Sequence, residues 1–582
     1  MVKPRYRVRR LDSEYWFENV PCQSACPVGT EAGKYVTAIA RSDYDEAARI
    51  ASEPNPLAAI CGVVCAHPCE KSCRRGNIDE PVAIRALKRT ALESGIQKAL
   101  NRSSGKEGKR IAIIGAGPAG LAAASELAKI GHQPVIFESS DRVGGMTAFG
   151  IPRYRLPMNV ISENGKLILD NLSIELRTDV VIGRDILVND LLKREGFSAV
   201  IAAVGAKLPR KIPLSGIDLQ GVFQGIDFLM GVASEKEYEI VGKKVVVIGG
   251  GNVAMDAARS AVRLGPAEVH LVCMESRAEM PADKLEIKEA LEEGVIFHNS
   301  KGPREIMGLK DVSGLKCVAV KSVFDQEGKF NPSFIEDEQV VLPADIIIMT
   351  IGQMPDDSWA KGLDGITFTR FGTPVIDKET LSTEVDGIFA AGDLATGPGI
   401  AISAVESGIR AARSVDAWFR GEKAVLKRKF RQEVVDYATN PEIDSIMRQE
   451  PVALLPEERR TNFNQVELAF DPDIAREQAK RCLNCSVSPV FNRETCLLCG
   501  GCVDVCPNSC LRLIRPEEAQ IEEGTNTLPE AQSLEGKTLL IKDEEQCIRC
   551  GLCVSRCPVG AVSMAQFTFE KEWVYSAQDA GI

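Results

Sequence analysis

An α/β fold with two nested dinucleotide-binding units, flanked at both ends by cysteine-rich modules, is what this 582-residue sequence predicts. Three observations carry that expectation: a strand–glycine turn–helix pattern beginning at Ile111, a second one beginning at Lys244, and nineteen cysteines bunched towards the two ends of the chain. In the first pattern the apolar run Ile111–Ile114 enters a turn with Gly115, Gly117 and Gly120 at G-x-G-x-x-G spacing. An Ala-rich helix follows, and a second apolar strand ends on Glu138. The first glycine permits the tight turn, the second lets the backbone approach a pyrophosphate, and the third lets helix and strand pack closely. The helix N-terminus offers unpaired N–H groups to the anion. Glu138 lies near the spacing at which a carboxylate accepts hydrogen bonds from an adenosine ribose.

The second unit places its strand at Lys244–Ile248 and its turn at Gly249, Gly251 and Ala254, with Asn252 inside the turn. The following strand, Val269–Val272, ends near Glu275. Later, IIIMTIGQMPD starts at Ile346 and GIFAAGDLA starts at Gly387, which reads as a return to the first unit. The expected boundaries are a helical cysteine-rich domain over 1–105, a first dinucleotide domain over 106–239 and 345–420, and a second over 240–344. A charged linker with helical stretches over 421–490 and a C-terminal domain with a tail over 491–582 complete the chain.

Composition excludes several classes. The net charge is −11 and no sustained Lys/Arg stripe appears, which argues against nucleic acid. Met1–Arg10 is basic, but Asp12, Ser13 and Glu14 follow where a signal peptide needs an apolar run. No uninterrupted apolar run reaches bilayer-spanning length, so no membrane partner and a cytoplasmic location are expected. In that compartment bunched cysteines favour metal over disulfides.

The C-terminal cysteines give the strongest signal. CLLCGGCVDVCP begins at Cys496 and CIRCGLCVSRCP begins at Cys547. Both match C-x-x-C-x-x-C-x-x-x-C-P, the two-cluster bacterial ferredoxin run, in which the fourth cysteine ligates the other cluster. Cys557 then completes the set of Cys496, Cys499 and Cys502, and Cys506 completes that of Cys547, Cys550 and Cys553. Cys510 is left over as a structural residue near a cluster. At the other end stand Cys22 and Cys26, then Cys61, Cys65, Cys69 and Cys73 at x3 spacing. Iron–sulfur clusters suit these soft, closely spaced ligands better than zinc, whose knuckles usually show two C-x-x-C pairs. The helical period over Ala32–Ala51 lies between the two groups. Cys273 and Cys317 stand alone and read as buried small hydrophobes.

PCQSACP, NPLAAICGVVCAHPCEKSCRRG and PVAIRALKR resemble the N-terminal iron–sulfur domain of the glutamate synthase small-subunit family, and the first glycine turn follows them as it does in that family. The resemblance covers Pro21 to about Arg413. It implies two nested Rossmann-like domains for FAD and a nicotinamide, with GGMTAFGIPRYRLP as a second flavin-contacting segment (Gly145, Met146) and Asp393 on the ribityl chain. One position departs. Relatives use Glu or Gln as a cluster ligand where this chain has Lys88, and an ammonium has no lone pair for iron. Relatives also draw two ligands from a C-x-x-C, so Cys482 and Cys485 are expected to fold back on the N-terminal domain. An independent turn is the alternative. With those two, four 4Fe–4S clusters are expected.

A hydride carries two electrons and a cluster accepts one, so a flavin must stand between them, and no side-chain acid or base is required. The core lacks the C-x-x-C of disulfide reductases, which makes iron–sulfur the exit. The C-terminal ferredoxin resembles that of NAD-linked subunits of 2-oxoacid oxidoreductases, which implies a thiamine-dependent partner complex. The rivals are a glutamate synthase small subunit using NADPH and a non-catalytic relay. Relatives that use NADPH place an arginine pair where this chain has Met274 and Glu275. A carboxylate there suits the ribose of NAD(H), although Arg277 lies two residues on and Glu275 could also be a solvated strand end.

Overall fold

The computed structural model describes residues 6–8, 12–96, 108–437, 445–521 and 537–577. Two parallel sheets form its centre. The first has the order Ile388–Ala390, Ala199–Ala202, Arg110–Ile114, Gln133–Phe137, Glu175–Arg177. Its strands other than the edge strand Glu175–Arg177 are largely apolar and buried, because helices cover both faces. The Ala-rich helix Pro118–Lys129 lies between this sheet and the long helix Ala401–Phe419, and its small side chains permit that approach.

The second sheet has the order Ile296–His298, Glu268–Val272, Lys244–Ile248, Ile346–Met349, Val222–Gln224. Its two last members correct the expected boundaries of 240 and 344. Ile346–Met349 is buried along its whole length and pairs with Lys244–Ile248, and Val222–Gln224 pairs on its other side. A short apolar strand buried on both faces fits either parallel sheet, and only its pairing decides. The crossing between the domains is the antiparallel pair Leu208–Pro209 with Gln353–Met354. A three-stranded antiparallel sheet, Lys301–Gly308, Val312–Phe324 and Phe330–Pro343, is appended to the second domain.

The N-terminal domain is helical, but its expected Ala32–Ala51 helix is two, Ala32–Ala40 and Tyr44–Ser52. Ser42 takes a positive φ of 61° and the Asp43 side chain caps the second helix by accepting from the Glu46 N–H at 3.1 Å.

The linker departs most from expectation. Glu422–Val434 is a strand, paired antiparallel along its length with Val562–Ala577, whose other edge carries Val487–Phe491. The charges that read as a solvated helix are matched across strands instead: Lys429 reaches Glu572 at 2.6 Å and Arg431 reaches Glu570 at 3.1 Å. Helices follow at Pro456–Arg459 and Pro472–Ala479. The C-terminal strand also packs on the N-terminal domain, where Trp16 stacks on Phe567 with centroids 4.0 Å apart. No helix among the described residues is long and apolar enough to cross a membrane.

Candidate redox site

A cavity of about 680 Å³ opens at the C-terminal end of the first sheet, lined by Gly115, Gly117, Glu138, Gly145, Met146 and Asp393. Its volume falls in the range of cofactor sites. Gly120 lies beneath the turn: a Cβ there would stand 1.9 Å from the Gly115 carbonyl oxygen. Gly115 itself has φ +106°, closed to most side chains. Gly117 is open towards the cavity, and Pro118 starts the helix whose N–H groups face it. The Glu138 carboxylate is buried and accepts from the Ala116 N–H at 2.7 Å and from the Ser140 N–H and Oγ at 2.9 and 2.8 Å. Burial pushes the Asp393 carboxyl up to about 6, and its Oδ1 accepts from the Gly399 N–H at 3.2 Å. Trp359, which also lines the cavity, holds a buried indole N–H with no hydrogen-bond partner in the structure. Glycine backbone, a ribose-facing acid, a second carboxylate and an unpaired donor fit FAD.

Asn252, Val253 and Asp256, from the helix of the second glycine turn, line the same cavity, so the two dinucleotide turns face one space. Gly249, Gly251 and Ala254 form that turn, with Ala254 fully buried. The Glu275 carboxylate sits 2.7 Å from where a Cβ on Gly250 would stand. Arg277 instead stacks on Phe297, 4.1 Å from the ring centroid. The orientation of this domain rests on buried ion pairs. Arg155 grips Asp256 at 2.8 Å and Glu286 at 2.6 Å, and Arg259 reaches Glu289 at 2.7 Å and Glu293 at 2.8 Å. Arg459, from the linker, closes the network on Glu292 and Glu293. Such a network fixes geometry more than it adds stability, because desolvation offsets most of the attraction.

The cysteines of the N-terminal domain fall into two groups. Burial pushes the Cys22 thiol up, as do its neighbours Cys485, Cys482, Cys73 and Cys69. Cys482 feels Cys485 and Cys73 in turn. The C-x-x-C at Cys482 therefore does lie against the N-terminal domain, held by Arg481, which donates to the Pro81 and Glu80 carbonyls at 3.1 and 2.9 Å. Cys22, Cys26, Cys61, Cys65 and Cys69 line a smaller space of about 30 Å³. Val64 and Ala66, on either side of Cys65, line the flavin cavity. The two groups overlap at Cys22 and Cys69 and together hold eight thiols, the number that two 4Fe–4S clusters require.

In the C-terminal domain the short helices Gly501–Asp504 and Leu552–Arg556 pack together. Cys506 lines one small space with Cys547, Cys550 and Cys553, as the crossed pairing requires. Cys510 is buried there too, 3.3 Å from the Cys506 Sγ, and its hydrogen bond draws the Cys547 thiol down. Cys499 is exposed. The buried Arg549 guanidinium feels both Cys485 and Cys547, bridging the N-terminal and C-terminal groups. The two solitary thiols, Cys273 and Cys317, are buried, which pushes both up to about 12.

The fold and cavity define a flavin- and pyridine nucleotide-dependent oxidoreductase carrying iron–sulfur modules. Comparison with known proteins agrees domain by domain. Residues 109–408 match the pyridine nucleotide-disulphide oxidoreductase family, residues 17–100 match dihydropyrimidine dehydrogenase domain II, 4Fe-4S cluster, and residues 490–561 match the 4Fe-4S dicluster domain. The beta subunit of the NADP(+)-dependent formate dehydrogenase of Moorella thermoacetica is 36% identical, over 81% of this chain and 71% of that one. The beta subunit of the NADPH-Fe(3+) oxidoreductase of Geobacter sulfurreducens is 34% identical, over 83% and 77%. The small chain of the NADPH glutamate synthase of Azospirillum brasilense is 31% identical, over 69% and 86%. The chain belongs to the glutamate synthase small-chain-like family of FAD- and NAD(P)-dependent iron–sulfur oxidoreductases.

Sequence reasoning missed Trp359, Arg549 and the network from Arg155 to Arg459. Arg155 lay within GIPRYRLP and Arg549 within CIRCGLCVSRCP, but neither spacing singles out the residue. The other residues are functional through long-range neighbours that no local spacing encodes.

Proposed function

We propose that this chain exchanges electrons between NAD(H) and a partner redox complex, using FAD and four 4Fe–4S clusters. When bound, the flavin supplies the conversion between a two-electron hydride and single electrons. One observation carries the reading: the cysteine groups succeed one another from the flavin cavity to the surface. Cys65 flanks the cavity, the Cys22 group follows, Arg549 joins it to the Cys547 group, and the Cys496 group carries the exposed Cys499. The residues that would hold the clusters, in that order, are Cys26, Cys61, Cys65 and Cys69; Cys22, Cys73, Cys482 and Cys485; Cys506, Cys547, Cys550 and Cys553; and Cys496, Cys499, Cys502 and Cys557. The protein's own work is to bind and orient. The glycine turns position the two dinucleotides over one cavity, and the Arg155–Asp256 pair holds the second domain against the first.

Glu275, beneath Gly250, supports NAD(H), since its carboxylate suits ribose hydroxyls and opposes a 2′-phosphate. NADP(H) is the second reading, favoured by the names of the relatives and by Arg277 two residues on. The resemblance to NAD-linked ferredoxin-bearing subunits supports a thiamine-dependent 2-oxoacid oxidoreductase as the partner, whereas the named relatives serve formate and Fe(III) complexes.

Anaerobic iron and sulfide analysis tests the core of the proposal, with about sixteen of each expected per chain. Half that amount would mean that the N-terminal thiols are structural. Cys482→Ala should remove about a quarter of the iron and leave the ferredoxin signals intact. Mass spectrometry of co-purifying subunits identifies the partner, and a glutamate synthase large chain in their place would overturn it.

A further inference from the structure

The cysteine group beside the flavin cavity contains one group that no cluster needs as a ligand. Lys88 lies on the helix Ile84–Ser94, is only 8% exposed, and lines the same small space as Cys26, Cys61, Cys65 and Cys69. Cys65 gives this set its fourth thiol, so position 88 is free of ligation. The other cations of this helix have acidic partners: Arg85 reaches Glu467 at 2.5 Å and Arg89 reaches Glu93 at 2.7 Å. Nearby Glu70 is engaged by the Arg85 N–H at 2.8 Å and by Arg448 at 3.3 Å. Among the described residues no carboxylate comes within ion-pair distance of Lys88.

A buried ammonium with no counter-charge is strongly unfavourable. Its opposite charges here are the thiolates. Lys88 shares its buried space with Cys61, Cys65 and Cys69. A cluster on four thiolates is anionic and gains a further negative charge on reduction, so a fixed cation beside it favours the reduced form. Low dielectric strengthens that effect.

We propose that Lys88 is the built-in counter-charge of the flavin-proximal cluster, raising its reduction potential so that it takes single electrons from the flavin site readily. The inference rests on the cluster assignment above. It gives the chain a tuning residue at the position where relatives place a ligand.

The test is an EPR-monitored redox titration of full-length, cluster-loaded protein, with the relevant signal identified by its loss in Cys65→Ala. Lys88→Met should lower that cluster's midpoint potential by an amount equal to about a tenfold change in the reduction equilibrium, which is about 59 mV for one electron. Lys88→Arg should leave it near the wild-type value, and the other three clusters should not move. An unchanged potential in Lys88→Met overturns the proposal, as does loss of the cluster from both variants. Loss from Lys88→Met alone, with Lys88→Arg intact, supports a requirement for the charge. If the wild-type protein shows no signal that Cys65→Ala removes, the cluster assignment itself has failed.

Discussion

The two glycine turns share a plan and differ in how they are fixed. The first is locked by its own backbone: Gly120 nests on the Gly115 carbonyl, and Glu138 is tied to the Ala116 N–H at 2.7 Å and the Ser140 N–H at 2.9 Å. The second replaces the third glycine by Ala254, and Glu275 remains half-buried beside Gly250. Its rigidity is supplied from outside, by ion pairs that reach Arg155 and Arg459. A resident cofactor gains from a site closed around it, whereas a nucleotide that must come and go needs an accessible one. The difference between the turns follows that division.

Four substitutions test it. Gly120→Ala should have the largest effect, because its methyl would overlap a backbone oxygen that cannot yield. Loss of flavin from the purified protein, read as the visible spectrum after gel filtration, is expected, and full retention would refute the locking. Arg459→Met should destabilise the second domain by about 3 kcal/mol by leaving Glu292 and Glu293 with one fewer cation. Hydrogen exchange should rise in the helices Asn252–Arg263 and Lys284–Glu292 while the flavin stays bound. Glu275→Arg should shift preference towards NADP(H) by tenfold or more, or about 1.4 kcal/mol. Anaerobic stopped-flow bleaching of the flavin decides it, and wild-type protein reduced as readily by NADPH as by NADH would sink the NAD(H) reading. Ala254→Gly, which restores the glycine of the first turn, should cost no more than about 1 kcal/mol through backbone entropy. A larger loss of stability would show that the second turn is as tightly locked as the first.

The sequence made the two turns legible because each is a local device: strand, glycines, helix and acid lie within one short stretch. The ferredoxin runs were legible for the same reason. The domain edges were not, since Val222–Gln224 and Ile346–Met349 are short strands that either parallel sheet could accept. Glu422–Val434 was misread because a charged segment is compatible with a solvated helix, and the strand that pairs with it lies more than a hundred residues later. Cys482 illustrates the intermediate case. Its motif was visible, whereas its neighbours, Cys22 and Cys73, required the fold.

The returning strand Val562–Ala577 has a consequence for how this molecule can be taken apart. A ferredoxin on a loose tether could be trimmed off or swapped between proteins as a cassette. Here the last strand is stitched into the trunk between Glu422–Val434 and Val487–Phe491, and Lys571 donates to the Gly29 carbonyl at 3.1 Å, three residues beyond Cys26. A stop codon after Asn492 would therefore leave a long bare strand edge, an invitation to aggregate. The same stitching anchors the module that carries the outermost cysteines, so electron transfer along the chain should proceed without tethered diffusion and should be insensitive to solvent viscosity.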